Sequence, residues 1–165
     1  MLIRDAAPED MAAVGELRVA AYRAGGHLAE DSDYEPRLRD LGADGKGEVI
    51  VAEGAGGGET LLGTVMLQQW PDAGELVTGP DEAEIRALAV APAAQGTGIG
   101  SALLKAVIDR ARQRGVRHLL LFTQPDMLAA QHMYEREGFT RMPERDWVQT
   151  PEFRLLAYGL RLGPG

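Results

Sequence analysis

Three glycines at alternating positions, Gly96, Gly98 and Gly100, stand where a loop is predicted to lead into a helix. Glycines there leave the backbone N–H groups of the first helical turn open to a ligand, and these groups carry the positive end of the helix dipole. Such a helix start binds anions, and phosphate above all. The residue types and their spacing therefore predict a phosphate-binding loop.

Two widespread phosphate-binding motifs fit this loop badly. A P-loop requires GxxxxGK followed by Ser or Thr, and no Lys directly follows these glycines. A dinucleotide-binding fold requires GxGxxG directly after its strand and an acidic residue about twenty positions later. Here the spacing is GxGxG, the loop after Val90 is longer, and the next strand has no acidic residue at its end. The ligand is therefore expected to belong to another class of phosphate compound.

The elements on either side of the loop are predicted from periodicity. Residues 84–90 are predicted to form a strand, and a helix runs from about Gly98 to Gly115, where a glycine suits the helix C-terminus. The helix is amphipathic, because apolar residues recur at three and four positions: Ile99, Leu103, Leu104, Val107, Ile108 and Ala111.

The remaining chain alternates further strands and helices. Strands are predicted at residues 2–4, 48–53, 61–70, 117–123, 139–141 and 153–162, and helices at residues 8–22, 34–41 and 129–139. Residues 54–58 are predicted to form a glycine-rich turn, and residues 71–82 a long acidic loop. The pattern by itself indicates an α/β or α+β fold.

Composition limits the classes of function. A chain of 165 residues with 45% hydrophobic and 25% charged residues is expected to form one globular domain over residues 1–165. A net charge of −8 argues against broad nucleic-acid binding. No apolar run is long enough for a membrane span, and no signal peptide is recognised, so a cytoplasmic protein without membrane association is expected. Cysteine is absent, which excludes disulfides, thiolate metal sites and a cysteine acyl-enzyme.

Two spaced motifs resemble those of the GCN5-related N-acetyltransferase (GNAT) superfamily. The first is its acyl-CoA loop, Q/R-x-x-G-x-G/A, which is matched at Gln95, Gly98 and Gly100 and preceded by Leu-Ala-Val. The second is its A…YxxxGF helix, which is matched by AAQHMYEREGF at residues 129–139 after the strand RHLLLFT. Together the motifs cover about a third of the chain, and they occur in the order that the superfamily has.

The resemblance implies a fold, a cosubstrate and a set of site residues. The implied fold is α/β (mixed α+β), with a central, mostly antiparallel twisted sheet of about seven strands and about four flanking helices. The implied cosubstrate is acetyl-CoA, with no metal. The residues implied to bind it are Leu88, Ala89 and Val90 for the pantetheine arm, and Gln95, Gly96, Thr97, Gly98, Ile99, Gly100 and Ser101 for the diphosphate.

Glu84 is the candidate general base. Its pattern, E-x-x-x-L-A-V, resembles E-x-x-x-C-A-I of the superfamily's histone acetyltransferases, in which the matching glutamate is the base. Strict alternation along the strand would place Glu84, Arg86, Leu88 and Val90 on one face. Two alternatives are an ion pair between Glu84 and Arg86 at the sheet rim, and a water chain that replaces a protein base.

Tyr134 matches the superfamily tyrosine that commonly donates a hydrogen bond to the CoA sulfur. The alternative is a half-buried tyrosine that packs with Ala130, Met133 and Phe139. Many relatives carry Asn seven positions earlier, where this chain has Met127, so contact with CoA at that point is expected to be limited to backbone and packing. Gln95 replaces the commoner Arg and gives up a charge beside the diphosphate.

The amine acceptor is not readable from the sequence. A small molecule and a peptide or protein amine both stay open, as does the oligomeric state, a homodimer included. In the superfamily the N-terminal region tends to line the acceptor side of the active site. The candidate acceptor-binding residues there are Tyr22, Glu30, Asp31, Asp33 and Tyr34, and Trp70 and Trp147 are further candidates. Two other functions are kept as alternatives: a non-catalytic acyl-CoA-binding sensor, and an acyltransferase that acts on a non-amine acceptor.

Overall fold

The structure is a computed structural model that describes residues 1–28, 32–54, 60–74 and 76–163. Glu30 and Asp31, the predicted turn beyond Gly54 and the last two residues lie outside this part of the chain. Within it the chain forms eight β-strands and four α-helices. The strands are β1 (Leu2–Asp5), β2 (Glu48–Glu53), β3 (Leu61–Gln69), β4 (Glu82–Val90), β5 (His118–Thr123), β6 (Thr140–Arg141), β7 (Trp147–Thr150) and β8 (Phe153–Arg161), and the helices are α1 (Met11–Ala24), α2 (Tyr34–Asp40), α3 (Ile99–Gln113) and α4 (Leu128–Arg136).

The chain divides into two compact units. One comprises Met1–Leu67 and Ala87–Val107, and the other comprises Gln68–Arg86 and Ile108–Gly165. Strand β4 contributes its second half to the first unit and its first half to the second. The single domain predicted for the chain stays a prediction.

In the first unit the strand order is β1-β2-β3-β4, and the β1–β2 and β2–β3 pairs are antiparallel. The four central residues of β2 are all buried, as its nearly continuous apolar sequence leads one to expect for a strand covered on both faces. One core joins α1 to the sheet: Val14, Leu17 and Ala21 with Val49, Val51, Leu61, Met66 and Ala89.

A glycine in β3 lets the start of α3 pack directly on the sheet. A Cβ atom at Gly63 would lie 2.7 Å from Leu103 Cδ1, 3.1 Å from Ile99 Cγ2 and 3.0 Å from the carbonyl oxygen of Ala89. A larger residue would force the helix away. Gly63 thus fixes the height of the first turn of α3 above β3, and with it the position of the glycine loop.

In the second unit the strand order is β4-β5-β8-β6, and β7 also pairs with β8. The β4–β5 pair is parallel, with Glu84 opposite Leu120, whereas β8 pairs antiparallel with β5, β6 and β7. The parallel register runs from Glu82–His118 to Ile85–Leu121, although both strands continue beyond it. A core cluster of this unit contains Leu76, Leu120 and Ala157, with Phe122 and Met142 packed against it.

Two sequence predictions need correction. Residues 147–150 form strand β7, where only a turn and the approach to the last strand were predicted. Strict alternation along the whole of β4 was also wrong, since Ala87 has a φ of +53°. A left-handed residue interrupts the pleat, so the residues after Ala87 do not continue the face set by Glu84.

Candidate active site

The glycine loop occupies the connection between β4 and α3. After Val90 the chain makes a short 3-10 turn at Pro92–Ala94 and reaches α3 through four exposed residues, Gln95 to Gly98. Gly96 and Gly98 have φ values of +79° and +86°, in the left-handed region that L side chains rarely adopt. The sequence is therefore glycine-rich here because the backbone requires it.

The space beside the two glycines is open. A Cβ atom at Gly96 or at Gly98 would meet no protein atom within 4 Å. The amide of Ala102 donates to the carbonyl of Gly98 over 3.1 Å, so the amides of the preceding residues point out of the N-terminal end of α3. Open space, bare amides and the positive helix end together suit the diphosphate of a nucleotide cosubstrate.

Side chains of the loop support its backbone. Gln95 Nε2 donates to the carbonyl of Val90 over 3.4 Å, and Thr97 Oγ1 donates to the carbonyl of Ala94. Ile99 is 6% exposed and packs into the core, so only its amide can face a ligand. The predicted binding of CoA by residues 95–101 stays a prediction.

Leu88, Ala89 and Val90 form the end of β4 that leads into this loop. Ala89 is buried in the core of the first unit, and the amide of Ala91 donates to the carbonyl of Leu62 over 2.8 Å. This packing fixes the main chain of these three residues. Their side chains need not contact a ligand for the predicted main-chain role, which stays a prediction.

Glu84 lies in the second unit and is 6% exposed. Its Oε2 atom is 3.8 Å from Arg86 Nε, so the ion pair that the sequence offered as an alternative is formed. Burial raises the pKa of the Glu84 carboxyl, while the charge of Arg86 and a hydrogen bond from the Gly74 amide oppose that rise. A carboxylate with a raised pKa is suited to accept a proton near neutral pH.

Sequence reasoning missed the third member of this group. Arg86 Nη1 donates to Gln68 Oε1 over 3.1 Å, and Gln68 is buried in β3. Gln68 follows the largely apolar run Leu-Leu-Gly-Thr-Val-Met-Leu. A polar side chain at the end of a strand that is expected to be buried was the signal that could have indicated a functional residue. Glu84, Arg86 and Gln68 thus form a polar group whose two outer members are buried.

Tyr134 is more buried than predicted, with 7% of its surface exposed. Its ring lies 5.9 Å from that of Phe139 and 6.2 Å from that of Tyr158, centroid to centroid. Tyr158 was not singled out from the sequence, although burial raises the pKa of its hydroxyl and Arg141 lies 5.5 Å above its ring. The aromatic packing expected for Tyr134 is confirmed in part, with Phe139, and its contact with a thiol stays a prediction.

Met127 stands at the start of α4, where many relatives have Asn. Thr123 Oγ1 lies 3.5 Å from Met127 Sδ. Gln131 Nε2 donates to the carbonyls of Gln124 and Pro125 over 3.0 and 3.2 Å, which ties α4 to the end of β5. The connection that leads to Tyr134 is therefore held by Gln131.

The acceptor-side candidates have different environments. Tyr22 packs against the core between α1 and the sheet and against a second cluster formed by Val19, Leu28 and Leu38. Tyr34 and Trp70 are exposed. Trp147 stacks edge-on against Phe153, with centroids 5.9 Å apart. These positions leave the acceptor unassigned.

The described residues contain no cluster of three or more His, Asp or Glu side chains arranged to hold a metal ion. Their helices are too short or too polar for any of them to cross a membrane.

Comparison with known proteins places the chain among acetyltransferases. Residues 11–139 match the model of the Acetyltransferase (GNAT) family. Mycothiol acetyltransferase of Sanguibacter keddieii is 34% identical over 129 residues, which are 78% of this chain and 39% of that protein. The chain spans between 24% and 41% of the length of the mycothiol acetyltransferases it matches.

Solved structures agree with the fold. Ribosomal-protein-alanine N-acetyltransferase from Brucella melitensis superposes with a TM-score of 0.70 at 25% identity, covering 98% of this chain and all of that one (100%). The acetyltransferase yncA from Salmonella typhimurium, solved with its cofactor acetyl-CoA, gives a TM-score of 0.71 at 24% identity over 99% and 94% of the two chains. The predicted α/β fold is confirmed, and the chain belongs to the GNAT family of acetyltransferases.

Proposed function

We propose that this chain is an acetyl-CoA-dependent N-acetyltransferase that passes the acetyl group directly to a primary amine. The observation that carries the proposal is the loop before α3, where Gly96 and Gly98 hold left-handed conformations beside open space. The relatives, which are acetyltransferases, support it, as does the acetyl-CoA in the yncA structure.

The loop is proposed to bind the diphosphate of acetyl-CoA through main-chain amides of residues 96–101. The backbone of Leu88–Val90 is proposed to bind the amides of the pantetheine arm. Bound acetyl-CoA would supply an activated acetyl thioester. Since the chain has no cysteine, no cysteine acyl-enzyme can form, and the amine is proposed to attack the thioester directly.

The need for a general base depends on the acceptor. A lysine-like amine with a pKa of about 10.4 is mostly protonated at neutral pH, and forming its free base costs roughly 4–5 kcal/mol. An α-amine with a pKa of about 7.7–8.0 costs only about 1 kcal/mol. Glu84, whose pKa is raised by burial, is proposed to take this proton directly or through water.

Tyr134 is proposed to donate a hydrogen bond from its hydroxyl to the departing sulfur. A thiol with a pKa of about 8.5 is already a fair leaving group, and a phenol with a pKa of about 10 is the weaker acid. Tyr134 would therefore position and stabilise the sulfur as much as transfer a proton to it.

The acceptor is proposed to be an amine on a small molecule or a peptide. The relatives include both classes, since one is a mycothiol acetyltransferase and another is a ribosomal-protein-alanine N-acetyltransferase.

The proposal is tested by thiol release from acetyl-CoA with a panel of small amines, amino acids and peptide N-termini. We expect the amount of thiol released to equal the amount of acetylated amine, which is measured by mass spectrometry. Both amounts should rise with enzyme concentration. Binding of acetyl-CoA with no thiol release on any acceptor would favour the sensor function. Thiol release that yields an ester or thioester product would favour a non-amine acceptor.

A further inference from the structure

The polar group formed by Glu84, Arg86 and Gln68 has a defined order. Arg86 stands between the other two, with Nη1 at 3.1 Å from Gln68 Oε1 and Nε at 3.8 Å from Glu84 Oε2. The Glu84 side chain is 8% exposed and that of Arg86 is 29% exposed, while Gln68 is buried. A partly exposed arginine is thus fixed at one end by a buried amide oxygen and directed at a buried carboxylate.

Among the described residues that shift the pKa of Glu84, Arg86 is the one that carries a positive charge. From the loop after β3 the Gly74 amide donates to the carboxylate. On β5 the residue opposite Glu84 is the uncharged Leu120, and on β3 the nearby Gln68 is also uncharged. Without the Arg86 charge, only the Gly74 amide would therefore oppose the rise in the pKa of Glu84 that burial causes.

An unanchored arginine would serve this purpose poorly. Its long side chain would spread over several rotamers, and its attraction to Glu84 would be averaged with solvent screening. The hydrogen bond to Gln68 restricts the guanidinium to the side of the Glu84 carboxylate.

We propose that Arg86, anchored by Gln68, is a positioning residue that keeps Glu84 ionised. The inference rests on the proposed function only where it links Glu84 to catalysis. The effect on the carboxylate itself is a property of the protein without substrate and can be measured there.

The direct test is a pH titration of the Glu84 carboxyl carbon by NMR, in the full chain labelled with 13C-glutamate. The Glu84 signal is identified by its loss in Glu84→Gln. We expect Arg86→Gln to raise the pKa of Glu84 by about one pH unit or more, since an opposite charge within about 4–6 Å lowers a carboxyl pKa by roughly 1–3 units. Gln68→Met should raise it less, and Arg86→Lys, which keeps the charge, should raise it least.

Arg112→Gln is the matched control, because it removes the same charge from an exposed site at the end of α3. It should leave the Glu84 titration unchanged. An unchanged titration in both Arg86→Gln and Gln68→Met would overturn the inference. Because two different residues are replaced, a folding defect in one variant leaves the other as a test.

The pH dependence of kcat/KM separates the inference from the proposed function. If Glu84 is the base, the acidic limb of the profile should move to higher pH in Arg86→Gln by the amount seen in the NMR titration. If the pKa of Glu84 measured by NMR rises in Arg86→Gln while the acidic limb of the rate profile stays in place, the positioning role holds and Glu84 is not the base.

Discussion

A buried carboxylate has opposite effects on catalysis and on stability. Because burial raises the pKa of Glu84 in the folded protein, the folded state is favoured while the carboxyl is protonated and loses that advantage once it ionises. The contribution to stability is fully present below the unfolded value of about 4.5 and is lost as pH rises through the folded pKa. At neutral pH Glu84 is therefore expected to weaken the fold that it serves.

Glu84→Gln should accordingly raise the free energy of unfolding near neutral pH while it lowers kcat/KM. The gain should grow as pH rises from below 4.5 and should level off above the folded pKa. Loss of a general base is expected to reduce the rate by about 10²–10⁴-fold for a high-pKa amine. Urea unfolding at several pH values measures the effect on stability, and steady-state kinetics measure the effect on kcat/KM. The stability prediction would be contradicted if the unfolding free energy of the variant, relative to the wild type, were lower at pH 8 than at pH 4.

Tyr134→Phe should lower kcat by about tenfold to a hundredfold and change the affinity for acetyl-CoA little, because only the hydroxyl is removed. The ring would keep its packing on Phe139 and Tyr158. Tyr158→Phe is the control, since it removes a hydroxyl from a neighbouring buried tyrosine that has no proposed role. Equal losses of kcat in the two variants would show that removal of either buried hydroxyl has the same effect, and would contradict a specific role of the Tyr134 hydroxyl.

At the scale of the element, strand β4 is regular up to Arg86 and strained at Ala87. A left-handed alanine costs roughly 1–2 kcal/mol, and Ala87 is the one non-glycine residue with positive φ in the described part of the chain. The strain lies directly before the three residues proposed to bind the pantetheine arm.

Ala87→Gly should therefore be nearly neutral, within about 1 kcal/mol, because relief of strain offsets the greater flexibility of glycine in the unfolded chain. Ala83→Gly, in the same strand and fully buried, gains no such relief and should lower the unfolding free energy by about 1 kcal/mol or more. Denaturant unfolding of both variants makes the comparison. A larger loss for Ala87→Gly than for Ala83→Gly would refute the strain assignment.

The sequence was informative where one local rule decides the structure. Glycine at Gly96 and Gly98 predicts a special backbone conformation, and the apolar spacing of α3 predicts a helix that the structure contains. Strand β7 escaped prediction because it is short and pairs at the sheet margin, with a register shift. The conformation of Ala87 carries no signal in its residue type, and the link from Arg86 to Gln68 joins residues 18 apart, which periodicity does not connect.

At the scale of the whole molecule, the ionic group around Glu82 is expected to contribute to acid stability. Glu82 accepts hydrogen bonds from both Nη atoms of Arg145, over 2.7 and 2.8 Å, and from Thr78, and these bonds lower its pKa to about 2. Its Oε2 atom also lies 3.4 Å from Nδ1 of the buried His118. Such a carboxylate stabilises the fold above its unfolded pKa of about 4.5, and the contribution is lost as pH falls towards 2.

Glu82→Gln should lower the unfolding free energy at pH 7 by about 2 kcal/mol, the scale of hydrogen bonds to a charged group. The difference from the wild type should shrink between pH 4.5 and 2. Glu152→Gln, at an exposed position, is the control and should have little effect. Buried His118, whose pKa is lowered by burial, should add a loss of stability below about pH 6.5, and this loss should be larger in Glu82→Gln because Glu82 opposes the lowering of the His118 pKa. A Glu82→Gln difference that stays constant down to pH 2 would contradict this account.

The central claim is that bare main-chain amides at the start of α3 bind the diphosphate of acetyl-CoA. The most direct measurement is calorimetric titration of acetyl-CoA into the wild type, Gly98→Val and Gly45→Val. Gly45 has a φ of +79° and open space around it, like the loop glycines, so both variants carry the same kind of backbone strain. We predict that Gly98→Val loses binding by at least about a hundredfold, roughly 2.7 kcal/mol, while Gly45→Val binds like the wild type. Wild-type affinity in a folded Gly98→Val, or an equal loss in both variants, would contradict the claim.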